Sequence, residues 1–121
     1  MPLMNAPFLL DEIRLALRQY LETGERRTLY LSQFPMTEED AAHLQQTLGP
    51  GAITIQTAGE NRTVWRECGT AGVWWGEYCE GPKKVILRTI EIGPYPELAV
   101  TPQDDIAFAL AALEERCATH A

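Results

Sequence analysis

The chain has 121 residues, 45% of them hydrophobic and 22% charged, with a formal net charge of −7. That length buries a core without disulfide or metal staples, and the composition excludes a disordered chain. The acidic balance argues against nucleic acid and against an anionic membrane surface, which both need clustered Lys and Arg, and is compatible with a basic protein or peptide partner.

The chain opens "MPLMNAPFLLDEIRLAL". No basic segment precedes the apolar residues and acids interrupt them early, so the sequence predicts no secretory signal. Arg26-Arg27 lies too far along the chain to be an export signal. No apolar run approaches the roughly 20 residues of a membrane span, which makes the cytoplasm the expected compartment. "FLLDEIRLALRQYLETGE" reads as a helix, with Leu9, Ile13, Leu17 and Tyr20 or Leu21 at helical spacing. Asp11 and Glu12 suit its early turns and Gly24 its end. "TLYLS" is a short strand that turns Leu29 and Leu31 inward.

"PMTEEDAAHLQQTLGPG" is a second helix. Thr37 is its N-cap and Asp40 takes the reciprocal capping-box position, where Glu or Gln is the usual choice. Ala41, Leu44 and Leu48 form the inner stripe, and Gly49-Pro50 ends it. "AITIQT", "RTVWREC", "VWWGEYC" and "VILRTIEI" are strand-like, with "AGEN", "GTAG" and "EGPKK" as turns. "GPYPELAVTPQ" is a proline-rich connection. Thr101 and Pro102 start a last helix whose inner stripe is Ile106, Leu110, Leu113 and Cys117. The order predicts one α+β domain over residues 1–121: an antiparallel sheet of about four strands, with three helices mainly on one face. The other face is left to water or a partner.

Side chains alternate along a strand. In "GVWWGEYC", Val73, Trp75, Glu77 and Cys79 share one face, and Trp74, Gly76 and Tyr78 the other. Glu77 favours turning its own set outward, and Gly76 leaves room beside a large ring. This places Trp74 in the core and Trp75 on the open face, while the "AGEN" register leaves Trp65 on either side. Glu91 lies opposite Ile90 and Ile92, so it too belongs to the open side. Glu91 and Tyr95 then either rim a binding surface, or are a solvated strand residue and a ring packed on the last helix.

Strong catalytic constellations are absent from the sequence. His43 and His120 are the two histidines. Cys117 and His120 have C-x-x-H spacing, but zinc needs three or four ligands, and Cys117 falls on an apolar stripe, so a core cysteine is the simpler reading. Three cysteines, Cys68, Cys79 and Cys117, give no disulfide framework. Cys68 and Cys79 fall at opposite ends of adjacent strands, on the order of 20 Å apart, too far for a bridge. Glu38-Glu39-Asp40 and Asp104-Asp105 sit in first turns of helices, where the dipole explains them. The sequence holds neither a phosphate-binding loop nor a nucleophile elbow. The leading signal is an exposed aromatic on a polar strand face, a mark of protein recognition.

In order along the chain, "EIRLALRQYLETGE", "LYLSQFPMTEEDAAHLQQTLGPGAI", "RECGTAGVWWGEY" and "RTIEIGPYPELA" resemble the HupH/HyaF-type hydrogenase expression proteins. "GVWW" and "IEIGPYPE" are spaced as in that family's recurring unit, of which longer members carry about two. The chain departs from the family pattern at Cys68, where Thr is expected, and at Ala71, where Pro is common. The resemblance implies a non-enzymatic chaperone in nickel–iron hydrogenase maturation, without metal or cofactor. It would bind a hydrogenase small-subunit precursor, which carries iron–sulfur clusters and a twin-arginine leader, beside a thioredoxin-like accessory protein. The strand faces, not the resemblance, supply the residues expected to bind the precursor: Trp75, Trp65, Glu77, Glu91 and Tyr95. The alternatives are a homodimeric interaction module joined through Trp75 and a redox protein centred on Cys68 or Cys79.

Overall fold

A computed structural model describes residues 5–119. Five strands, β1 (Arg27–Tyr30), β2 (Pro50–Gln56), β3 (Thr63–Cys68), β4 (Val73–Glu80) and β5 (Lys84–Ile92), pair antiparallel in the order β1-β5-β4-β3-β2. The sheet therefore has five strands where about four were expected, because both edge runs join it, β2 with a break in register between Pro50 and Thr54. β2 to β5 form a meander, and β1 adds to the far side of β5. The chain must then cross the sheet between β1 and β2, and helix α2 (Glu38–Leu48) makes that crossing.

Helix α1 (Ala6–Thr23) buries Leu9, Ile13 and Ala16, with Leu17 and Tyr20 partly buried beside them. Leu21 is 83% exposed, which settles the choice between it and Tyr20. Gly24, with φ 76°, closes the helix in the left-handed conformation that glycine adopts freely. Against α1 and α2 the sheet packs Leu29, Val73, Ile90 and Ile92. The register confirms that these share a face: Leu29 pairs with Ile90, Trp75 with Ile90, and Val73 with Ile92.

Asp40 joins the two helices. It is fully buried. Its carboxylate accepts from the backbone of Thr37 at 3.0 Å, of Ala6 at 3.1 Å and of Asn5 at 3.2 Å, while Thr37 Oγ1 accepts from Asp40 N at 3.0 Å. One side chain thus closes the capping box of α2 and caps the unsatisfied N–H groups that open α1. At the other end of α2, Leu48 and Gly49 carbonyls accept from Thr70 and Gly69 at 2.8 Å each, so the helix is fixed to the β3–β4 turn.

Several expectations fail here. Trp75, placed on the open face, lies on the helix-covered one, half-buried against the core. Trp74 is buried as expected, at 3% exposure, but on the opposite face, where its Nε1 donates to the Gly93 carbonyl at 3.1 Å. That face is covered by the segment after β5, which folds back with Pro96 fully buried and a short 3-10 turn, Glu97–Ala99. The third helix, α3 (Gln103–Thr119), buries nothing: Ile106, Leu110 and Leu113 are 57%, 57% and 52% exposed, and Cys117 is exposed rather than core. No described element packs against the expected stripe, and Phe108, off it, is exposed as well. Its first turn forms on the Pro102 carbonyl, which accepts from Asp105 and Ile106.

Replacing Asp40 with Ala leaves both helix starts without their shared acceptor. Asp40→Ala is expected to lower unfolding free energy by about 3 kcal/mol, since hydrogen bonds to a buried charge are the strong ones. Urea denaturation of the two proteins measures it.

Candidate functional site

The helices cover the inner face of the sheet unevenly. The apolar cluster ends at Trp75. The next residue of β4 on that face is Glu77, which stands between two cross-strand arginines, 3.4 Å from Arg66 and 3.2 Å from Arg88. Two adjacent hollows open along this boundary. One, of about 570 Å³, runs under Phe34, Met36 and Ala41 toward Ile86. The other, of about 400 Å³, runs past Leu48 and Pro50 toward Cys68. Both share Gln45, Trp75 and Glu77. Together they make a groove between α2 and the sheet, with an aromatic floor, walls that mix apolar and polar side chains, and a charged far rim. Such a surface suits an extended or helical peptide segment with an apolar side chain to insert.

On the outer face, Trp65, Tyr78, Thr89 and Glu91 form a buried polar network. Trp65 is 2% exposed, and the register places it across from Gly76 and thus on this face, which resolves its ambiguity. Its Nε1 donates to Glu91 Oε2 at 3.1 Å, with the Tyr78 hydroxyl at 3.2 Å. Tyr78 and Thr89 donate to the same oxygen at 2.8 and 2.7 Å. The Trp65 and Tyr78 rings meet edge to face at 6.0 Å between centroids. Gly76 is required here: a Cβ would press on Thr89 Oγ1 and stand 2.8 Å from Glu91 Oε2 and 3.2 Å from the Trp65 ring. Sequence reasoning saw the need for space beside a ring, but paired it with the wrong tryptophan.

Glu91 is only 7% exposed, so it is not the solvated residue of one alternative. Tyr95 is 44% exposed and does not pack on α3. Its ring carries the Arg26 guanidinium at 4.0 Å, and its carbonyl accepts from Arg26 Nη1 at 2.7 Å, which pins the returning segment to the turn before β1. Of the five expected residues, Trp75 and Glu77 share the groove, Trp65 and Glu91 share the outer network, and Tyr95 stands apart from both. The groove walls contributed by Phe34 and Met36 went unnoticed in the sequence. Their signal is the apolar pair either side of Pro35, just before the α2 cap.

The three cysteines are free. The Cys68 thiol is pushed up from its ordinary value by burial first and by the Glu67 charge second, which suppresses the reactive thiolate. Among the described residues no group of three or more His, Cys, Asp or Glu is placed to hold a metal ion. His120 of the C-x-x-H spacing lies outside the described residues. Among the described residues no helix is long and apolar enough to cross a membrane.

The model of the HupH hydrogenase expression protein C-terminal conserved region matches residues 3–120. The hydrogenase expression/formation protein HupQ of Azotobacter chroococcum is 30% identical over 115 residues, 93% of this chain and 40% of that protein. The hydrogenase-1 operon protein HyaF of Escherichia coli is 29% identical over 94 residues, 78% of this chain and 33% of that protein. The chain thus spans well under half the length of these curated relatives. A solved structure, the hydrogenase expression protein HupH from Thiobacillus denitrificans, superposes with a TM-score of 0.89 at 35% identity, covering 98% of this chain and 99% of that one.

The outer network makes a pH prediction. Burial foremost, with the Glu91 interaction adding to it, raises the Tyr78 hydroxyl from 10.0 to about 12. Below pH 10 the phenol is protonated in both folded and unfolded chains, and its contribution is fully present. Above that, the unfolded chain releases the proton while the fold keeps it, so stability falls as pH rises toward 12. Tyr78→Phe is expected to flatten that alkaline limb. It should also lower stability at neutral pH by about 1–3 kcal/mol through the lost donor to Glu91. Urea midpoints from pH 8 to 12 for both proteins test it.

Proposed function

The chain belongs to the HupH hydrogenase expression protein family, and from that premise we propose that it is a non-enzymatic accessory of nickel–iron hydrogenase maturation that binds a hydrogenase subunit precursor. In this reading the unit holds the client, beside a thioredoxin-like accessory protein, until its cofactors are in place. The observation that carries the reading is the groove over Trp75. Its walls carry apolar side chains among polar ones, its far rim is charged, and its floor is a half-buried tryptophan, one of the residue types enriched where protein interfaces are anchored. The acidic net charge speeds encounter with a basic client segment, and the desolvated ring supplies the affinity. The raised thiol of Cys68 weighs against the redox alternative.

Trp75→Ala is expected to weaken binding of a purified small-subunit precursor by about 2 kcal/mol, roughly 30-fold. Because Trp75 also touches the core, Ile86→Glu serves as a second variant. Ile86 is 56% exposed at the groove edge, so a charge there spares the interior. Unchanged affinity in both variants, with native circular dichroism, refutes the groove as the client site.

A homodimer is the second reading, favoured by α3. Its exposed residues Ile106, Leu110 and Leu113 recur at spacings that a second helix would cover. This reading expects the chain to sediment as a dimer and Leu110→Glu to sediment as a monomer. A monomeric parent chain at micromolar concentration rejects it.

A further inference from the structure

The two oxygens of the Glu91 carboxylate are treated unequally. Oε2 takes all three donors, from Thr89, Tyr78 and Trp65. Among the described residues Oε1 accepts no hydrogen bond, and it is not sealed from solvent either. The side chain that carries it is more than nine-tenths buried. It lines a hollow of about 310 Å³ between the outer face of the sheet and the returning segment, with Thr28, Tyr30, Tyr78, Leu87, Glu97 and Leu98. Among the described residues no lysine or arginine lines this hollow, and the formal charges there are the carboxylates of Glu91 and Glu97.

A carboxylate oxygen without a donor of its own, beside one that neutral groups already saturate, is an acceptor that a charged donor fits best. We propose that this hollow binds the guanidinium group of an arginine presented by a protein or peptide partner. The guanidinium would donate to Oε1 of Glu91 and be flanked by Glu97. Its weakly hydrated planar face suits walls made of Tyr30, Leu87 and Leu98, where an ammonium would give up a tight hydration shell. A divalent ion is a poor match, because calcium or magnesium needs six or more oxygen ligands and two carboxylates supply too few. Tyr78 keeps its proton to about pH 12, so it remains a donor to Oε2 and leaves Oε1 for the ligand. The site lies on the face of the sheet opposite the Trp75 groove, so it stands whether or not the groove binds a client.

The indole N–H of Trp65 bonds to the same carboxylate and reports on it directly. In ¹⁵N-labelled full-length protein, titration with N-acetyl-arginine amide is expected to shift that resonance saturably. N-acetyl-lysine amide at the same concentrations should shift it weakly and without saturation. Glu97→Gln, a surface change, should weaken arginine binding roughly threefold. Glu91→Gln, where folded, should abolish it. Absence of saturation, an equal response to lysine, or an arginine response unchanged in Glu97→Gln overturns the proposal.

Discussion

Strand β4 carries apolar or aromatic side chains on both of its faces, and the fold is organised around covering both. Val73 and Trp75 point one way, Trp74 and the space beside Gly76 the other. Period-two alternation leaves no third direction. α1 and α2 cover the first face. The chain after β5 returns over the second, seating Pro96 and accepting the Trp74 indole at Gly93. An antiparallel sheet with one face in water was the simpler expectation, and the tryptophan pair rules it out.

Covering the inner face depends on where α2 lies, and a single carboxylate helps fix that. Asp40 binds the N-terminal backbone of both helices, so their starts are held together. The other end of α2 is tied to the β3–β4 turn through Gly49, whose φ of 80° is one that L side chains rarely adopt. Pinned at both ends, α2 crosses the sheet and covers it as far as Trp75. The groove is the region past that limit, and its position follows from the anchors of α2. A preformed groove loses less ordering entropy on binding than a mobile one.

Charge is distributed to match this layout. On the inner face Glu77 is held between Arg66 and Arg88, a surface arrangement worth little to stability but one that sets the polarity of the rim. On the outer face Glu91 is buried among three donors to one oxygen. The two glutamates occupy neighbouring strands, yet one marks the edge of an apolar groove and the other the floor of a polar hollow. α3 stands outside both arrangements, with its apolar stripe still exposed.

The sequence by itself determined the elements: α1 closing at Gly24, α2 capped by Thr37 and Asp40, the meander turns, and an α+β class. These follow from local chemistry, namely helical periodicity, capping side chains and glycine at turns, which act within a few residues of each other. The ordered motifs also carried the family resemblance. Only the tertiary structure decided which face each tryptophan serves. A charged residue was taken to mark the solvent side of its whole strand, but helices cover a face only as far as they reach, so Val73 and Glu77 share a face and differ in exposure. Glu91 reversed the same rule, because donors from Trp65, Tyr78 and Thr89, on β3, β4 and β5, satisfy it at a site no single segment reveals. The inner stripe expected of α3 buries nothing. Whether a partner surface exists to bury such a stripe depends on where the preceding segment 93–102 leaves the helix, and periodicity carries no information about that.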